Sequence, residues 1–98
     1  MFWKRTRRID ALNARCRDYL EKGPPLHMTN YVPGSVTEMI IAHGAQGKHL
    51  DAELSEAAKI ILVEAEDLIG IEDPEIRTYM LQGAALVREV LSVHGRRA

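Results

Sequence analysis

Cysteine is nearly missing from this chain: Cys16 stands alone, so no internal disulfide can form. That excludes the small cross-linked scaffolds of secreted proteins and fits a reducing compartment. Long apolar runs are missing too. Nothing approaches the roughly 20 residues a membrane-spanning helix needs. The opening "MFWKRTRR" has the charged start of a signal peptide, but "IDALNARCRDYLEK" is too polar to be its apolar segment. The expected location is cytoplasmic. Aromatics are limited to Phe2, Trp3, Tyr19, Tyr31 and Tyr79. Core volume must therefore come from Leu, Ile, Val, Met and Ala, the composition of a helical bundle.

Net charge is also small, at -1 over 98 residues. With an isoelectric point near 6.4, the chain as a whole does not look like a general nucleic-acid binder. The sum conceals a separation. Residues 1–22 carry seven Lys/Arg against three acids, and residues 51–75 carry nine acids against one Lys. Such a chain either neutralises itself on folding or presents one sign to a partner. The hydrophobic fraction of 46% is that of a folded chain, and the length suits one thin core unless a partner covers part of it.

What is present reads as four helices. The first spans about Lys4 to Lys22, with Ile9, Leu12, Cys16, Tyr19 and Leu20 on one face. Gly23 and the Pro24-Pro25 pair end it. "GPPLHMTNYVPG" is a semi-rigid linker, and Met28 within it could serve as an alternative start. "SVTE" opens the second helix as a capping box, in which Glu38 reaches back to the Ser35 amide. Val36, Met39, Ile40 and His43 should share its inner face, with Gly44 and Gly47 weakening it. The third helix runs from an Asp51 N-cap to about Ile69. Leu54, Ala57, Ala58, Ile61, Ala65 and Leu68 form its main face, and "IILV" at 60–63 wraps its circumference. "EDPE" announces the fourth, from Asp73 to about His94. Ile76, Tyr79, Gly83, Leu86, Val90 and Val93 form its seam, with Met80, Val87 and Leu91 beside it.

Strand alternation is absent, so the fold class is all-α. A small four-helix domain is expected, its last two helices forming an antiparallel hairpin, completed by dimerisation. Residues 1–27 read as a basic N-terminal helix or arm with the start of the proline-rich linker. Residues 28–98 read as the helical core domain, expected to survive removal of that arm.

Catalytic patterns fail on inspection. "HGAQGKH" at 43–49 resembles a phosphate loop, but Ala42 stands at the first glycine position and His49 at the hydroxyl position. Its glycines read as a helix break or hinge. The four histidines show no zinc-ligand spacing. Glu64 and Asp67 in "EAED" read as a solvated acidic face rather than an acid/base pair. No cofactor, metal or enzymatic activity is expected.

Two surfaces remain. Helices three and four carry more apolar side chains than one core absorbs. Ile60, Val63, Met80 and Val87, with a small-residue notch at Gly83, are the expected protein interface. The partner would be another protein, such as a transcription factor sequestered by a small regulator, or a second copy in a homodimer. The basic arm, with Trp3, Lys4, Arg5, Arg7 and Arg8, supports an alternative as a nucleic-acid-associated module. The same arm could lie at a membrane surface or against the chain's own acidic third helix.

Overall fold

The computed structural model describes residues 2–95, with side chains from Arg7 onward. It is all-helical: α1 (Phe2–Lys22), α2 (Val36–Gln46), α3 (Ala52–Glu64), a 3₁₀ segment (Ala65–Gly70) and α4 (Pro74–His94). No strand occurs among the described residues.

The helix ends follow local chemistry. Gly23 takes φ +69° after α1, a left-handed conformation that favours glycine. Ser35 Oγ accepts from the Glu38 amide at 3.3 Å. Glu38 does not complete the expected box. Its carboxylate reaches one residue further back, accepting from the Gly34 amide at 2.8 Å and from the Tyr31 hydroxyl. Gly47, at φ +68°, closes α2. The Gly47 and Lys48 amides donate to Gly44 O at 3.1 Å and His43 O at 2.9 Å, satisfying carbonyls the helix leaves open. Asp51 Oδ1 accepts from the Leu54 amide. Asp73 Oδ1 accepts from the Glu75 and Ile76 amides, with Pro74 at the first helical position. The regular part of α3 stops at Glu64, short of Ile69, and the chain tightens into 3₁₀ geometry before Gly70.

α2 and α4 form the central pair. α1 packs on both from one side, and α3 with its 3₁₀ extension packs on both as well; among the described residues the α1 and α3 backbones do not approach each other closely. Leu12 and Cys16 of α1, Ile40 and Ile41 of α2, Ala58 of α3, and Leu86, Val87 and Val90 of α4 form one buried cluster with Leu50 from the intervening loop. α1 is therefore part of the one core, and the division after residue 27 does not separate two packing units. The proline linker bends the chain so that α1 returns onto α2 and α4.

Two inner faces differ from expectation. On α2, Ile40, Ile41 and Gly44 are buried, while Val36 and Met39 are each 45% exposed. The face is turned by about one residue because α1 and α4 both converge on Gly44. A Cβ there would lie 2.6 Å from Val90 Cγ2 and 2.8 Å from Cys16 Sγ. Gly44 is thus a helix-crossing point rather than a hinge. On α4, Val87 is fully buried and Val93 is exposed. Val87 therefore cannot be an interface residue: it lies where α4 faces the core. Gly83 is buried as well, because Tyr19 of α1 fills the notch.

Candidate functional site

Tyr19 organises one end of the bundle. Its ring stacks on Tyr79 at 4.9 Å, 10° from parallel. Its hydroxyl donates to Tyr79 O at 3.1 Å. Burial, reinforced by the neighbouring Tyr79 side chain, pushes the phenol well above its ordinary range, so it stays protonated. A Cβ on Gly83 would stand 2.6 Å from this oxygen, so only glycine lets α1 approach so closely.

Beside the stacked tyrosines lies a cavity of about 670 Å³, between the residue 28–35 linker, the start of α2, the end of α3 and the first half of α4. That volume falls in the range of ligand-sized sites. Its apolar lining includes Met28, Ile61, Leu68, Met80 and Ala84. Its polar groups are Tyr31, Ser35, Thr37, Glu38, Glu64 and Asp67. Glu38 is engaged by Gly34 and by Tyr31, whose phenol that hydrogen bond pushes up to about 12. Glu64 and Asp67, by contrast, have no ion-pair partner among the described residues. Glu56, Asp73 and Glu89 each have one, in Lys59, His27 and Arg15. The site is an apolar hollow with unneutralised carboxylates.

The predicted interface residues are dispersed by the fold. Met80 is half-buried in the cavity wall. Ile60 and Val63 are 58% and 72% exposed on α3, and Ile69 is exposed on the 3₁₀ segment. Val87 and Gly83 are inside. Of the basic arm, Arg7 and Arg8 are exposed; the side chains of Trp3, Lys4 and Arg5 lie outside the described residues. Among the described residues, the α1 backbone makes no close approach to acidic α3.

No family model, curated protein or solved structure matches the chain. Its chemistry must therefore be read from its own groups.

Residues 43–49 offer no cradle for a phosphate. The Gly47 and Lys48 amides already donate to the end of α2, and the Leu50 amide donates to His94 O at 2.8 Å. The histidines are dispersed. The His43 ring bonds Met39 O, and His27 pairs with Asp73 at 2.8 Å. His94 is buried against Asn13, with His49 edge-on at 6.0 Å. Among the described residues, no three His, Cys, Asp or Glu side chains gather as a metal site. Cys16 is fully buried, and that burial pushes its thiol up to about 11, which leaves it little thiolate at neutral pH. No helix among the described residues is long and apolar enough to cross a membrane.

Sequence reasoning missed the cavity. Glu64 and Asp67 are exposed, as a solvated acidic face should be, but the apolar wall beside them was not foreseen. The apolar wall opposite them comes from α4 and the linker, segments remote in sequence.

Proposed function

We propose that this chain is a small, non-catalytic protein-binding regulator that holds a basic, apolar segment of a partner at the cavity between α3 and α4. The supporting observation is the pairing of an apolar lining with Glu64 and Asp67, two carboxylates without counter-ions among the described residues. An aromatic or aliphatic side chain would fill the hollow, and flanking Lys or Arg would meet the acids. Apolar anchors in desolvated pockets carry most binding energy, while rim charges set selectivity and association rate. Ile60 and Val63 on α3 extend the apolar surface available to a partner. Sequestration of a transcription factor is one such use.

The test is capture of partners from the native cell with the full chain as bait, beside a Glu64→Lys/Asp67→Lys variant. Partners held by the parent and lost by the variant are expected; capture that ignores the double reversal refutes the reading. The second reading, a nucleic-acid module, draws on the exposed Arg8. A salt-dependent shift of DNA or RNA, abolished by Lys4→Glu/Arg5→Glu, would favour it instead.

A further inference from the structure

The cavity has a complementary segment within the same sequence. "FWKRTRR" at residues 2–8 places Phe2 and Trp3 beside Lys4, Arg5, Arg7 and Arg8, and the first turn of α1 holds no acid. Tyr19 of the same helix lines the cavity. α1 is unbroken from Phe2 to Lys22, so sixteen helical steps separate Trp3 from Tyr19, roughly 24 Å at 1.5 Å per residue. The arm therefore points away from its own cavity and cannot fold back into it.

The contacts of α1 fix its direction. Tyr19 lies at Tyr79 and Gly83, Arg15 pairs with Glu89 at 2.7 Å, and Asn13 meets His94 at the end of α4. α1 thus runs antiparallel to α4 and continues past its C-terminus for about 16 Å beyond Asn13. The basic arm projects from one end of the bundle, and the acidic cavity opens at the other.

We propose that the occupant of the cavity is the N-terminal arm of a second copy of this chain, giving head-to-tail association. This rests on the reading of the cavity as a site for a basic, apolar segment. The Phe2-Trp3 pair supplies the apolar anchor for the hollow, and the basic residues that follow it in the sequence supply the charge that neutralises Glu64 and Asp67. Every molecule carries both halves, on opposite ends, so the contact is heterologous. It propagates into a ring or an open chain rather than closing as a two-fold dimer.

The experiment is sedimentation velocity of the full chain over a concentration series at low and high salt. Two variants accompany it: an arm variant, Trp3→Ala/Lys4→Glu/Arg5→Glu, and a cavity variant, Glu64→Lys/Asp67→Lys. All substituted cavity positions are exposed, and circular dichroism confirms folding; Glu64→Gln/Asp67→Asn serves as a milder cavity pair. The parent is expected to form oligomers larger than dimers that weaken on the order of tenfold or more at high salt. Each variant alone is expected to be monomeric. Mixed in equal amounts, they form a one-to-one dimer that grows no further, because one intact arm meets one intact cavity. A monomeric parent at every concentration overturns the proposal, as does a mixture that stays monomeric. A dimer indifferent to both variants but dissociated by Ile60→Glu/Val63→Glu also overturns it, pointing to a two-fold contact on α3. If self-association fails while partner capture still needs Glu64 and Asp67, the cavity reading stands and only the choice of occupant falls.

Discussion

Replacing Gly44 with Ala tests the packing of the whole bundle at one atom. In an ordinary helix interior, Ala is more stable than Gly by about 1 kcal/mol. Gly44 lies inside α2, in helical conformation, so a hinge reading predicts stabilisation. The structure predicts the opposite. The new methyl would sit 2.6 Å from Val90 Cγ2 and 2.8 Å from Cys16 Sγ, both on fully buried residues. Val90 is β-branched and stiff about χ1, and Cys16 has one short torsion. Relief requires α1 or α4 to move. Overpacking of this kind costs about 1–3 kcal/mol. Two simultaneous clashes place it near the top of that range, and the propensity gain offsets about 1 kcal/mol. The net loss is about 2 kcal/mol, or about 8–16 °C in Tm for a domain of this size. Urea denaturation measures it, with an unchanged slope if the unfolded state is unaffected. Val90→Ala removes the nearest clashing atom, so the double variant should be more stable than additivity predicts, by about 1 kcal/mol. Gly47→Ala is a contrasting control. It costs about 1 kcal/mol through left-handed strain at φ +68°, and Val90→Ala does not relieve it. A Gly44→Ala midpoint at or above the parent's would refute the crossing-point reading.

Three further outcomes follow from the same geometry. Gly83→Ala should destabilise by about 1–3 kcal/mol through its contact with the Tyr19 hydroxyl, and Tyr19→Phe should recover part of that loss in thermal melts. Deleting residues 1–22 should abolish cooperative unfolding by calorimetry. It uncovers the side of the core that Leu12 and Cys16 fill, and each large aliphatic burial lost costs about 1.5–3 kcal/mol out of a total of about 5–15 kcal/mol. His94 is held below its ordinary value of 6.5 by burial and by the neighbouring His49. The unfolded chain therefore binds that proton more readily, and stability present above pH 6.5 should fall as pH drops through the lowered folded value. His94→Gln should flatten that dependence in denaturant titrations.

The helix inventory was legible in the sequence because caps act over three or four residues. Ser35, Asp51 and the Asp73-Pro74 pair start helices, and Gly23, Gly47 and Gly95 follow helix ends; each needs only its near neighbours on the chain. The inner stripe of α1 was legible for a related reason. Its apolar residues are few, and Leu12, Cys16, Tyr19 and Leu20 admit one face. Where apolar residues are plentiful, periodicity leaves the choice open. α4 carries two overlapping stripes, and its contacts with α1 and α2 put Val87 inside and leave Val93 out. On α2, Ile41 rather than Met39 turns inward because Gly44 must face Cys16 and Val90. The notch at Gly83 looked like room for a partner until Tyr19, 64 residues earlier, filled it. The cavity itself required the linker, α3 and α4 to meet. Local chemistry fixed where α2, α3 and α4 begin and where α1, α2 and α4 end. Which way each helix faces, and what its small residues are for, was decided by close packing between segments distant in sequence, where a contact of a few tenths of an ångström outweighs propensity.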